Sequence, residues 1–168
     1  ERFEKPPTPR GELSLGTKED PAPIHRIDIS EEGRVLSGIG EFDRVLGGGL
    51  VAGSVILIGG DPGIGKSTLL LQAFAAVSQR DVTCLYVSGE ESPRQIKMRA
   101  ERLGIDAPNL LILSETSLER ILDQIKKIKP GLLVIDSVQT IFSSAIPWAP
   151  GSIAQVREAS GAIIVLAK

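Results

Sequence analysis

Glycines, a lysine and a serine at fixed spacing could form a binding site for phosphate groups. Residues 60–67 read Gly-Asp-Pro-Gly-Ile-Gly-Lys-Ser and match the pattern G-x-x-x-x-G-K-[ST]. The glycines let the main chain turn tightly, so that its N–H groups can face phosphate oxygens. Lys66 supplies a positive charge for the outer phosphates, and the Ser67 hydroxyl can bind Mg²⁺. The pattern predicts an ATP and Mg²⁺ site formed by Gly60, Asp61, Pro62, Gly63, Ile64, Gly65, Lys66, Ser67 and Thr68.

Two acidic positions and an amide could complete this site. Asp136 ends an apolar run, where a carboxylate can order Mg²⁺ through its waters, and is predicted with Ser67 as the metal pair. Glu90 and Glu91 follow another apolar run, and either could orient or deprotonate the water that attacks the γ-phosphate. Their local chemistry does not separate them. Gln139 could donate to the γ-phosphate or position that water, and an ordinary role in a polar loop is the alternative.

The order of elements predicts how these residues come together. A strand is expected at residues 55–58, directly before the phosphate loop, and a helix from Lys66 to about Ser78 after it. Further apolar runs predict strands at residues 82–87, 110–113 and 132–135, alternating with helices. Such alternation predicts an α/β fold with a mostly parallel sheet, helices on both faces and ligands at the carboxyl ends of the strands.

Local signals predict where several helices begin. Ser92 is followed by a proline, a typical pair at the first turn of a helix. Thr116 and Ser152 each stand three residues before a glutamate or glutamine, which is the pattern of a capping box. The last of these would begin a helix, but the β-branched residues 163–165 also suit a strand. The sequence does not decide between the two.

Composition limits the classes of protein to which the chain can belong. Its 168 residues suffice for one domain, and its net charge of −2 means that nucleic acid would have to bind at a local patch. Residues 1–30 are rich in proline and charge and are predicted to be an arm or linker, with the core at residues 31–168. The single cysteine, Cys84, is expected in the core. No apolar stretch has membrane-spanning length and no secretory signal is visible, so a cytoplasmic protein is expected.

Five segments resemble the RecA-type ATPase core and, more closely, the RadA (Sms) family of bacterial DNA-repair proteins. They lie within residues 34–168, at residues 40–49, 60–72, 87–92, 135–140 and 149–158. The first and last are specific to the RadA family. The resemblance implies a RecA-like P-loop NTPase fold and an ATP-driven, DNA-dependent motor. Such a motor forms a homo-hexameric ring, moves on single-stranded DNA and promotes branch migration on recombination intermediates.

The resemblance also assigns roles to residues. It makes residues 60–67 the nucleotide loop, Asp136 the Mg²⁺-ordering acid and Glu90, rather than Glu91, the catalytic acid. Residues 143–157 correspond to the neighbourhood of the first DNA loop of RecA-like proteins. Trp148 in that stretch could stack on a base, pack on a neighbouring subunit or act as a hydrophobic anchor.

Some features of the RadA family do not occur in these 168 residues. They are the four-cysteine zinc module, the His-Val-Thr-Lys stretch, the Lys-Asn-Arg-Phe-Gly motif and the Lon-protease-like domain. We therefore expect an ATPase core that is incomplete at its C-terminus. Two other functions remain as alternatives: a regulatory ATPase of the KaiC kind, which shares the fold and the paired glutamates, and a non-catalytic nucleotide-binding module.

Overall fold

The computed structural model describes residues 21–26 and 33–168 of the chain. The predicted arm therefore lies outside the described residues except for positions 21–26, where Ile24–Arg26 form one 3₁₀ turn. The boundary between arm and core at residue 30 stays a prediction. Among the described residues, no helix combines the length and the apolar character needed to cross a membrane.

Three parallel strands form the sheet of the described region. They are β1 (Cys84–Ser88), β2 (Leu110–Ser114) and β3 (Leu132–Asp136), in the spatial order β2-β1-β3. Ser88 at the end of β1 is paired with Asp136 at the end of β3. The carboxyl ends of the strands therefore lie along one edge, as the sequence pattern predicted.

Helices cover both faces of this sheet. They are α1 (Gly40–Val45), α2 (Lys66–Ser78), α3 (Pro93–Arg102), α4 (Leu118–Ile128) and α5 (Ile153–Ala167). One apolar cluster joins α2 and α3 to Cys84 and Tyr86 of β1, and a second joins α4 and α5 to Leu85 and Val87. This alternation follows from the two-residue period of a strand. The predicted α/β class with helices on both faces is confirmed.

The direction of α2 follows from a contact at its C-terminal end. Asn109, directly before β2, donates a side-chain hydrogen bond of 3.2 Å to the carbonyl oxygen of Ser78. The last turn of α2 therefore lies at the amino ends of the strands. Since a 13-residue helix is about 20 Å long, its first residue, Lys66, lies toward the carboxyl ends, on the same side as Asp136.

The predicted strand at residues 55–58 is wrong for this structure. These residues form no strand, and the side chains of Val55 and Leu57 are 50% and 87% exposed. A strand exists only through hydrogen bonds to a neighbour, and none of the described residues supplies one there. The other β-branched segment, residues 163–165, is helical within α5, which answers the question that the sequence left open.

Helix caps were predicted well except at α4. Ser92 and Ser152 cap α3 and α5 as expected, each accepting a hydrogen bond from the backbone N–H three residues later. For α4 the predicted cap Thr116 is wrong, because Ser117 takes this place and accepts from the N–H of Arg120. Cys84 is buried as expected, and burial raises the pKa of its thiol to about 11.

Candidate functional site

The predicted phosphate loop ends at an uncapped helix N-terminus. Gly63 and Gly65 have φ angles of 81° and 103°, a region that residues with side chains rarely adopt. No side chain caps α2, so the first N–H groups and the positive end of the helix dipole are left for an anion. Lys66 Nζ donates to the carbonyl oxygens of Gly60 (2.7 Å) and Asp61 (2.9 Å). A positive charge thus lies beside N–H groups suited to phosphate oxygens.

Asp136 lies on the face of the sheet that α2 covers. Asp136 is two residues after Val134 in β3, so the two side chains lie on the same face of the sheet. Val134 belongs to the apolar cluster under α2 and is paired with Tyr86. The Tyr86 hydroxyl donates to Oδ2 of Asp136 at 2.5 Å. Burial, together with this bond, raises the pKa of the Tyr86 phenol well above its ordinary value. The phenol is therefore a hydrogen-bond donor to the carboxylate at every physiological pH.

Glu90 is linked to the turn that follows Asp136. The Ser137 hydroxyl donates to Glu90 Oε1 at 3.1 Å, and the Gly89 N–H donates to the Asp136 carbonyl at 3.1 Å. Gly89 has no room for a side chain, since an added Cβ would lie 2.6 Å from Cβ of Thr140. The turns after β1 and β3 therefore touch, which brings Glu90 and Asp136 to one region as predicted from the sequence.

Glu91 is engaged elsewhere. It forms an ion pair with Arg99 of α3, and its N–H donates to the Ser88 hydroxyl at 3.0 Å. The Arg99 side chain is only 14% exposed, although the sequence of α3 is rich in charged residues that would suit a solvated face. A signal was available: Arg99 lies three residues after Ile96 and directly before Ala100, which are both buried. Glu90 and Glu91 thus have different partners in the structure, a difference that their sequence positions did not reveal.

Gln139 lies in a different setting from the two acids. It is exposed, follows β3 in a short 3₁₀ turn and lines an open cleft of about 620 Å³ with Gly151, Ile153, Val156 and Arg157. Among residues 33–168, its side chain forms no hydrogen bond with Glu90 or Asp136. The assignment of Gln139 to the γ-phosphate stays a prediction.

Residues 142–152 form a loop that is fixed by hydrogen bonds to two side chains, one from α4 and one from α5. Gln155 of α5, 1% exposed, accepts from the N–H of Ser143 and donates to the carbonyls of Ser143 (3.1 Å) and Trp148 (2.8 Å). Glu119 of α4 accepts from the Ser143 hydroxyl at 2.7 Å, and this bond holds the pKa of its carboxyl below the ordinary value. Trp148 stays 63% exposed. In the sequence pattern Glu119 and Gln155 are only the capping partners of Thr116 and Ser152, so this role could not be predicted from it.

The donor set suits Mg²⁺. Ser67 is the second residue of α2, directly after the loop, and Asp136 ends β3 on the same side of the sheet and facing the same layer. A hydroxyl and a carboxylate are hard oxygen ligands, and Mg²⁺ binds through few protein groups with waters and substrate phosphates completing its octahedron. Among the described residues, no group of three or more His, Cys, Asp or Glu side chains forms an all-protein metal site. These residues therefore fit a cation that arrives with a nucleotide.

The parallel sheet, the uncapped α2 after a phosphate-loop sequence and the acid at the end of β3 define a RecA-like P-loop ATPase core. In agreement, the family described as "ATPase: KaiC" matches residues 35–113. Within this class the chain belongs to the family of the bacterial DNA repair protein RadA.

Three relatives illustrate the similarity. DNA repair protein RadA of Bacillus subtilis is 54% identical over 155 residues, which are 92% of this chain and 34% of that protein. The RadA proteins of Pseudomonas aeruginosa and Synechocystis are 49% and 48% identical over 86% and 85% of this chain, and over 32% of their own lengths. The chain thus spans about a third of the length of the curated relatives it matches.

Proposed function

We propose that this chain is the ATP-binding and ATP-hydrolysing core of a DNA-dependent ATPase that acts in recombinational DNA repair. In the complete protein we expect a homo-hexameric ring that promotes branch migration on single-stranded DNA. The relatives are named DNA repair proteins, which supports the repair role. The observation that carries the ATPase role is the uncapped N-terminus of α2, with Lys66 above the loop, on the side of the sheet where Asp136 and Glu90 lie.

The nucleotide is held by main-chain and side-chain groups of the loop. The N–H groups of residues 60–68 other than Pro62 would donate to the β- and γ-phosphates, with the dipole of α2 directed at them. Lys66 exchanges its bonds with the Gly60 and Asp61 carbonyls for bonds to the outer phosphate oxygens. Ser67 and Asp136 would hold Mg²⁺, which would neutralise part of the negative charge of the phosphates.

Hydrolysis requires a group that orients the attacking water. Glu90 is placed next to Asp136 through Ser137 and has no cationic partner among the ion pairs of residues 33–168, whereas Glu91 is paired with Arg99. Glu90 accepts a proton from the water as it attacks in line with the leaving oxygen. Lys66 and the loop N–H groups stabilise the charge that develops on the equatorial oxygens.

DNA contact is proposed for the loop of residues 142–152 and the start of α5. Trp148 is exposed there, and Arg157 lines the neighbouring cleft with Gln139, close to the turn that follows β3. An aromatic side chain that stacks on bases, with a cation beside it, is the common form of a single-strand binding surface. Gln139, which the sequence assigns to the γ-phosphate, lies in the short turn after β3 and lines the same cleft as Arg157. The groups proposed for DNA contact and for hydrolysis would therefore lie within a few residues of each other.

The ATPase proposal is tested by Lys66→Ala in the purified protein. Removal of the ammonium is expected to lower affinity for a fluorescent ATP analogue and to reduce hydrolysis at least 100-fold, by analogy with loss of one transition-state donor. Lys126→Ala, an exposed lysine in the last turn of α4, is the matched control and is expected to change neither. Normal hydrolysis by Lys66→Ala would contradict the proposal, and binding without turnover by the unaltered protein, with or without DNA, would favour a non-catalytic nucleotide-binding module.

A regulatory ATPase of the KaiC kind is the second candidate, because the family that matches residues 35–113 carries that description. The two differ in their response to DNA. We expect single-stranded DNA to stimulate hydrolysis by the protein that contains this core. Hydrolysis at the same rate with and without single-stranded DNA, in buffer of fixed salt, would favour the regulatory ATPase.

A further inference from the structure

The only tyrosine of the chain has its hydroxyl at the predicted cation site. Tyr86 is 0% exposed, in the middle of β1, and the rest of its side chain packs in the apolar cluster under α2. A buried phenol requires a hydrogen-bond partner, and here that partner is Oδ2 of Asp136. Phenylalanine would fill the same space without this bond. The hydroxyl, and not the packing of the ring, is therefore the property that tyrosine adds over phenylalanine at this position.

This bond restricts how the carboxylate can turn. Asp136 is the last residue of β3, and Tyr86 lies on the neighbouring strand, opposite Val134. Oδ2 accepts this bond, and Oδ1 accepts no hydrogen bond from the residues that the structure describes. A carboxylate that is fixed by a second residue presents one oxygen in a defined direction, and such outer partners commonly change metal affinity 10–100-fold.

We propose that Tyr86 is a positioning residue that holds Asp136 for the nucleotide-bound Mg²⁺, an inference that rests on the proposed ATPase function. The phenol bonds Oδ2 and leaves Oδ1 for the water shell of the cation. The turn of Glu90 is tied to the same strand end through the Asp136 carbonyl. Tyr86, itself in the core, thus fixes the orientation of the Asp136 carboxylate at the proposed Mg²⁺ site.

The test is the Mg²⁺ dependence of nucleotide affinity in the Tyr86→Phe variant of the purified protein. Affinity for a fluorescent ATP analogue is measured at Mg²⁺ concentrations from zero, in EDTA, to saturation. We expect the half-saturating Mg²⁺ concentration to rise about tenfold, with affinity in EDTA unchanged. Superimposable Mg²⁺ titrations of the variant and the unaltered protein would overturn the inference. An equal loss of affinity in EDTA and in Mg²⁺ would also overturn it, because it would indicate a purely structural role.

Two further variants separate a positioning role from lost stability. Cys84→Ala alters the same face of the same strand without touching Asp136, and it is expected to leave the Mg²⁺ titration unchanged. Asp136→Asn is expected to raise the half-saturating Mg²⁺ concentration, and adding Tyr86→Phe to it should then cause little further change, because the two residues act through one contact. Additive effects in this cycle would overturn the inference.

The same experiment distinguishes this inference from the proposed function. If Lys66→Ala abolishes nucleotide binding and Asp136→Asn alters the Mg²⁺ titration, the proposed function stands whatever Tyr86→Phe does. If neither variant has an effect, the nucleotide site itself is wrong.

Discussion

Two neighbouring acids after β1 differ in their partners, and we propose on this basis that they have different roles. Glu90 bonds to Ser137 at the end of β3, and Glu91 is paired with Arg99. We predict that Glu90→Gln lowers the hydrolysis rate about 10²–10⁴-fold, as for loss of a general base, and leaves ATP affinity intact. Single-turnover hydrolysis and equilibrium binding measure the two quantities.

Glu91→Gln is the matched variant for this prediction. It leaves the largely buried Arg99 without its counter-charge and is expected to lower the free energy of unfolding by about 1–3 kcal/mol. Hydrolysis per folded molecule should change much less than with Glu90→Gln. If Glu91→Gln abolished hydrolysis in a folded protein and Glu90→Gln did not, the roles assigned to the two acids would be reversed.

At the level of elements, the loop of residues 142–152 depends on an ionised glutamate. The bond from Ser143 holds the pKa of Glu119 below its ordinary value of 4.5, so the folded state favours the charged form. This contribution to stability is present at neutral pH. It is lost as the pH falls below about 4.5, the ordinary value, and through the lower pKa of the folded state.

We therefore predict that Glu119→Gln weakens the dependence of stability on pH. Between pH 6 and pH 3 the unaltered protein should lose about 1 kcal/mol more of its unfolding free energy than the variant, the usual contribution of one hydrogen bond. Urea unfolding at each pH, followed by the fluorescence of Trp148, gives the difference. Asp123→Asn, at an exposed position of the same helix, is the control and should follow the unaltered protein. Parallel curves for Glu119→Gln and the unaltered protein would contradict the prediction.

Elements defined by local signals could be predicted from the sequence, and those defined by distant partners could not. The start of α3 at Ser92 and Pro93 is correct because a cap depends on residues within one turn. Residues 55–58 have the composition of a strand, but composition supplies no neighbour to pair with. The contacts of Tyr86 and Arg99 could not be predicted for the same reason, since each involves a partner outside its own element.

At the scale of the whole molecule, the elements form two layers around the sheet, and each layer supports a different part of the proposed site. The α2 and α3 layer covers Tyr86 and the face on which Asp136 lies. The α4 and α5 layer supports residues 142–152 through Glu119 and Gln155. The layers meet at the turn after β3, which lies between Asp136 and the loop that carries Trp148. This turn is therefore the connection between the proposed nucleotide site and the proposed DNA contact.

The net charge of the chain sets the character of the DNA contact that we propose. With a net charge of −2, no overall positive field attracts DNA, so affinity must come from stacking and a few local cations. We predict that Trp148→Ala weakens binding of a short single-stranded oligonucleotide by about 1–3 kcal/mol, the contribution of one stacked base. Because Trp148 is the only tryptophan, binding to the unaltered protein should also quench its fluorescence.

Arg157→Ala separates the electrostatic part of this contact from stacking. Loss of one phosphate contact is expected to make the slope of log affinity against log salt shallower by about 0.7. Arg102→Ala provides the control, because this exposed arginine belongs to α3 in the opposite layer, and its removal should leave the slope unchanged. An equal change of slope in both variants would indicate diffuse binding over the whole surface. DNA binding without any change in Trp148 fluorescence would move the interface away from residues 142–152 and leave Trp148 as a hydrophobic anchor or subunit contact.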